Sequence, residues 1–195
     1  MPTFTVVAGP NGSGKSTLTR LGREAFQADA VLDPDAIART LQATGENGGS
    51  SIDAGRAVLA MASKLLEANQ SFLVETTLSG NTYLRMMHRA KALGYVVVLL
   101  YVGTSDVSIN LQRVRQRVKR GGHDVPEEDQ LRRYPRSLAN FETAFSLADE
   151  AVVFDNSTAK GHVRVAEKSK EGVVLFQEPP VWAAFLKNED ANTGS

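Results

Sequence analysis

Gly9-Pro10-Asn11-Gly12-Ser13-Gly14-Lys15-Ser16 fits the pattern G-x-x-x-x-G-K-[ST], and no other stretch of the chain restricts its fold as strongly. The apolar run Thr3 to Ala8 precedes it, and helical spacing follows from Lys15 to about Gln27, with Leu18, Leu21 and Phe26 on one side. That strand–loop–helix setting is what the motif needs. The glycines permit a tight turn, and successive amide N–H groups converge on an anion at the positive end of the helix. Lys15 is expected to reach the outer phosphates of a nucleotide, and the Ser16 hydroxyl to hold Mg²⁺. Thr17 continues the cradle formed by Gly9 to Ser16. ATP and Mg²⁺ are the expected cofactors.

The rest of the chain alternates β-branched runs with helical stretches, which predicts a parallel sheet between helices. Strands are expected at Thr3 to Ala8, Ala30 to Leu32, Ser71 to Val74, Tyr95 to Val102 and Ala151 to Phe154. Helices are expected from Asp33-Pro34-Asp35 through Thr44, from Ile52 to Asn69, from Asn81 to Leu93, from Asp106 to Arg120 and from Pro126 to Phe145. Gly45 to Ser51 reads as a loop, His162 to Glu167 and Gly172 to Phe176 as an antiparallel hairpin, and Pro179 to Leu186 as a closing helix. The fold class is therefore α/β: a P-loop NTPase of the nucleotide-kinase type, with a five-stranded parallel sheet, a helical arginine lid over residues 113–136 and a C-terminal hairpin. A chain of 195 residues is expected to form one such domain, residues 1–187, with a frayed polar tail at 188–195.

Composition removes several alternatives. There are no cysteines, which excludes a disulfide scaffold, a cysteine zinc site and thiol catalysis. Twenty-two basic and twenty-two acidic residues cancel, so a whole-chain grip on nucleic acid or on an anionic membrane is not expected. The run Tyr95 to Val102 is far short of the roughly 20 residues of a membrane span. With no basic n-region at the N-terminus, the expected location is the cytoplasm. A transporter-type ATPase is a poor match. Leu78-Ser79-Gly80 continues into Asn81-Thr82 where the signature segment of that class has glycine and glutamine. Asn156 follows Asp155 where its catalytic glutamate would stand.

The neutral total hides a local excess. Seven of the fourteen arginines fall between Arg113 and Arg136. Arg113, Arg117 and Arg120 are spaced i, i+4, i+7 on one helical face, with Leu111, Val114 and Val118 on another. Arg133 and Arg136 neighbour one another on the next helix, despite Pro135, and Gly121-Gly122 form a hinge between the two helices. Such a pair suits closure over a triphosphate. On the opposite side, ligands of a doubly wound sheet lie beyond the strand ends, where Asp33 and Asp35 follow the second strand and Glu75-Thr76-Thr77 follow the third. Helix capping accounts for one aspartate before Pro34. Asp35 is the candidate base, orienting an attacking hydroxyl, and Glu75, Thr76 and Thr77 are candidates for holding the acceptor, as is Asp33.

Gly9 to Thr17, Asp33 to Ala38, Glu75 to Gly80 and the run Arg113 to Asn140 together resemble a small zeta-toxin-type kinase, most specifically through Arg117 to Pro126 and Arg132 to Leu138. The resemblance implies transfer of the ATP γ-phosphate to a sugar hydroxyl of UDP-N-acetylglucosamine. It implies Lys15 on phosphate, Asp35 as base, and Arg117 and Arg133, then Arg120 and Arg136, on the triphosphate. It also implies Asn156 near the adenine and an antitoxin protein as partner. Other acceptors, a dinucleotide cofactor or a nucleic-acid end, stay open, as does an ATP-binding regulatory protein with no acceptor.

Overall fold

A computed structural model describes residues 1–22, 28–33, 37 and 51–190. The expected helix through Thr44, the loop from Gly45 and the tail beyond position 190 lie outside these residues, and so does Asp35. Within the described residues the order is β1 (Thr3–Ala8), α1 (Lys15–Gly22), β2 (Ala30–Leu32), α2 (Ser51–Glu67), β3 (Phe72–Thr76), α3 (Thr82–Ala92), β4 (Val96–Gly103), α4 (Val107–Lys119), α5 (Glu127–Leu147), β5 (Glu150–Asp155), β6 (Val163–Ser169), β7 (Gly172–Leu175) and α6 (Leu186–Asp190).

The strands form one sheet in the order β2-β3-β1-β4-β5-β6-β7. The first five are parallel, as expected. The hairpin is not a separate layer: β6 pairs antiparallel with β5, and β7 with β6, so the sheet extends to seven strands. Three expectations shift. Strand three runs two residues further than expected, so Glu75 and Thr76 belong to β3 rather than following it. Helix α5 continues through Pro135 without interruption. The closing helix divides into a 3₁₀ turn at Val181–Ala183 and α6.

Alternation along β1 explains the layering. Phe4, Val6 and Ala8 face the main core, joined there by Val58 and Leu66 of α2, Met87 of α3 and Phe141 and Phe145 of α5. Val7 faces the other side, with Leu73, Leu100 and Leu18 of α1. Phe4 stacks on Phe72 at 4.7 Å between ring centroids and Tyr101 on Phe141 at 3.9 Å. Burying each such side chain stabilises the fold by about 1.5–3 kcal/mol. Because β1 is the central parallel strand with β3 and β4 beside it, everything that follows its C-terminal end opens onto one crevice.

Candidate functional site: a phosphate loop and its cleft

The loop after β1 is held from three sides. The Gly9 amide donates to the Thr76 carbonyl oxygen of β3 (3.2 Å). At Gly12, φ is +75°, and a Cβ would lie 2.6 Å from the Asn110 carbonyl oxygen of α4. At Gly14, φ is +109°, and a Cβ would lie 2.5 Å from Asn156 Nδ2 and 2.8 Å from His162 Nε2. Both positions require glycine for backbone conformation and for space. Asn156 Nδ2 donates to the Ser13 carbonyl oxygen (2.7 Å), and His162 Nε2 lies 3.1 Å from the Gly14 carbonyl oxygen. In a trans peptide the C=O and the following N–H point in opposite directions. Holding these two carbonyls therefore turns the Gly14 and Lys15 amides away from Asn156 and His162, the orientation that leaves them free to meet an anion. The Lys15 ammonium donates to the carbonyl oxygens of Gly9 (2.7 Å) and Pro10 (2.8 Å), folded over the loop it serves.

Asn156, expected near the adenine, lines the cleft and braces the loop with its side chain. His162 escaped the sequence reading altogether. The available signal was its position shortly after β5, the strand two places from β1, whose end opens on the same crevice.

Glu75 also takes a different place. The β1–β3 register sets Glu75 beside Val7, two residues before Gly9 opens the loop. Its Oε2 accepts a hydrogen bond from the Ser16 hydroxyl at 2.8 Å. Glu75 is buried, and burial raises its pKa; the Ser16 and Thr19 hydroxyls and Lys15 pull it down, and Asp33 pushes it up. A hydroxyl and a carboxylate on one point supply the hard oxygen donors that Mg²⁺ prefers, with water and substrate phosphate completing its shell. The residues present therefore fit the expected ion, with Glu75 beside Ser16 as a second oxygen donor that could hold it. The Thr76 hydroxyl accepts from the Leu78 amide (3.0 Å), and Thr77 Oγ1 pairs with Ser79 Oγ (3.0 Å). Leu78, fully buried, has φ of +54°, and its carbonyl accepts from Asn140 Nδ2 (2.9 Å). The segment after β3 is thus a tied turn.

A cleft of about 650 Å³ joins these pieces. Gly12, Gly14, Lys15, Ser16, Thr17, Asn156 and His162 line it, as do Asp33, Gly55, Glu75, Thr77 and Tyr83. Arg113, Arg117 and Arg133 enter from α4 and α5. Arg113 Nη1 is buried with no hydrogen-bond partner among the described residues. Arg133 is tied to Asp129 at 3.0 Å. The arginines do not all converge. Arg120 lines a neighbouring groove with Thr17, Arg20, Arg113 and Arg117, and Arg136 is exposed and borders neither space. Val118, expected on an apolar face, is also exposed. No helix among the described residues is long and apolar enough to cross a membrane.

Comparison with known proteins agrees with this architecture. A Haemophilus influenzae protein, itself described only as uncharacterized, is 41% identical over 127 residues, which are 65% of this chain and 88% of the relative. The structure of the PezAT toxin–antitoxin system of Streptococcus pneumoniae superimposes with a TM-score of 0.58 at 18% identity, covering 86% of this chain and 72% of the other. The structure of AvrRxo1-ORF1 with AvrRxo1-ORF2 and ATP gives 0.70 at 16% identity, covering 97% and 63%. At such identities the likeness is one of fold, a kinase-like P-loop architecture. A family model for an AAA domain, AAA_33, matches residues 4–143, from the first strand through both arginine-bearing helices, and the chain belongs to that family.

Proposed function

We propose that the protein is a Mg-ATP-dependent kinase that transfers the γ-phosphate to a hydroxyl of a small molecule, with a nucleotide sugar such as UDP-N-acetylglucosamine as the first acceptor to test. The observation that carries this reading is the shared cleft: the phosphate loop with Lys15, Asp33, and Arg113, Arg117 and Arg133 all line one space. The loop amides and Lys15 would bind the donor phosphates, and Ser16 and Glu75 would hold Mg²⁺, which supplies charge neutralisation on the phosphates. The arginines would balance charge as the bond from the γ-phosphorus to its bridging oxygen breaks and the bond to the acceptor oxygen forms. Asp35, two residues beyond Asp33 in sequence, is the proposed recipient of the hydroxyl proton, acting by orientation more than by basicity. An antitoxin partner belongs to the same reading, supported by the fold shared with the PezAT system.

The test is incubation with Mg-ATP and a panel of nucleotide sugars, dinucleotides and nucleic-acid ends, with mass spectrometry for one added phosphate. Lys15→Ala is expected to abolish transfer. Asp35→Asn should keep ATP affinity within a few fold while transfer falls by about 10²–10⁴. Arg117→Ala and Arg133→Ala should lower turnover more than nucleotide affinity. ADP production that no acceptor accelerates would instead indicate an ATP-binding regulator, and normal transfer by Asp35→Asn would remove the base.

A further inference from the structure

Tyr83 differs from the other three tyrosines of the chain. The hydroxyl of Tyr95 donates to the carbonyls of Leu65 and Gln70, that of Tyr101 pairs with Ser137, and that of Tyr134 donates to the Thr104 carbonyl. Tyr83, in the first turn of α3, makes no such bond among the described residues, although burial raises its pKa to about 12 and keeps it a proton donor at any physiological pH. A partly buried phenol usually finds a partner within the protein. This one lines the cleft.

Gly55 lines the same cleft, from the 17-residue helix α2. Glycine is among the least favoured residues in a helix interior, and close packing is the usual reason to find one there. Here packing gives no reason: a Cβ at Gly55 would meet nothing within 4 Å among the described residues. Ala54 and Val58 turn into the core, so Gly55 sits on the flank of α2 and offers the cleft bare backbone.

We infer that Gly55 and Tyr83 bound a slot for a ring of the phosphate acceptor, which lies against the bare backbone of α2 and accepts a hydrogen bond at its rim from the Tyr83 hydroxyl. The inference rests on the kinase reading for its context and names the part of the cleft that selects the acceptor. The ligand chemistry is a compact ring bearing hydrogen-bond acceptors, which a pyranose and a nucleobase both provide. Thr77 and Asp33 border the slot and turn the acceptor's hydroxyls toward the phosphate loop.

Calorimetric titration with sugar 1-phosphates, nucleosides and nucleotide sugars tests the slot without requiring turnover. One ring class should bind the wild type, and binding of sugar phosphates but not nucleosides, or the reverse, identifies the ring. Gly55→Leu should weaken that ligand at least about tenfold, the scale of a few misplaced methylenes in a pocket, with ATP affinity within about twofold and no loss of thermal stability. Gly55→Ala should fall between. Tyr83→Phe should weaken the same ligand roughly three- to tenfold through the lost hydrogen bond. Equal affinity in wild type and Gly55→Leu, or no binding of any ring compound to the wild type, would overturn the slot. Ring binding that Gly55→Leu abolishes, with no phosphate transferred by the wild type, would leave the slot standing and refute the kinase.

Discussion

Glu75 is buried at the end of β3 beside Lys15 and Ser16, and burial makes its ionised form costly in the empty protein. A carboxyl whose pKa is raised on folding contributes stability below its unfolded pKa and loses it as pH rises through the folded value. At neutral pH the ionised group therefore weakens the nucleotide-free fold. Glu75→Gln should raise the melting temperature of that form by a few degrees at pH 7. The gain should vanish as pH falls below the ordinary carboxylate range, where wild-type Glu75 is protonated both folded and unfolded. The same substitution should weaken Mg²⁺-dependent ATP binding, because the metal loses a charged oxygen. Calorimetric melts across pH, paired with ATP titrations with and without Mg²⁺, measure both effects. A stabilising change that costs ligand affinity is the signature of a site rather than of a core position. At this scale the phosphate loop was legible in the sequence because its donors are consecutive residues. Glu75 and Asn156 were named there as site candidates, but their partners, and the place of His162, were not legible, because Ser16, Ser13 and Gly14 lie 59, 143 and 148 positions away.

Helix α5 joins two tasks along its 21 residues. Its first half carries Arg133 and its second half supplies Phe141, Ala144 and Phe145 to the core. Tyr134, Ser137 and Asn140 fasten it to Thr104, Tyr101 and Leu78. The hinged pair of helices read from Gly121-Gly122 thus has one anchored member, and any closure over a nucleotide belongs to α4 and the 120–126 segment. Gly122 supports this, since a Cβ there would lie 2.5 Å from Arg117 Cγ, placing the loop directly on a cleft arginine. Asn140→Ala should destabilise the protein by about 1–2 kcal/mol in urea melts, because it leaves the Leu78 carbonyl without its side-chain donor. It should also raise the acceptor KM more than the ATP KM, since the Leu78 turn directly follows Thr77, which lines the cleft and is proposed to border the acceptor. Helix periodicity predicted α4 and α5 to within two residues at each end. It could not predict which arginines share a space, because one helical face spans both the cleft and the groove beside it.

The C-terminal residues complete the molecule. β6 and β7 widen the sheet, and the turn at Val181–Ala183 sets the Trp182 ring over Gly103, where a Cβ would come within 2.5 Å of it. Trp182 joins Tyr101 and Phe141, and Phe185 joins Phe141 and Phe145, in one aromatic cluster behind the cleft. Trp182→Ala should cost about 2–4 kcal/mol, less than a fully buried aromatic at the upper end of the range. Trp182→Phe should cost much less, because the indole N–H is buried without a partner among the described residues and phenylalanine removes that penalty. Equilibrium unfolding of both variants measures the difference. The family match ends at residue 143, so Asn156, His162 and the Phe145, Trp182 and Phe185 members of this cluster lie beyond it.

The order of strands and helices, the phosphate loop and the absence of cysteine chemistry were determined by sequence alone, since each depends on neighbours within a few residues: the pleat, the helical repeat, the turn-forming glycines. The tertiary structure decided which carboxylate meets Ser16, which arginines border the cleft, and which side chains hold the loop in shape. Those choices follow from the strand order β2-β3-β1-β4-β5, which brings distant strand ends together, and no local preference encodes it.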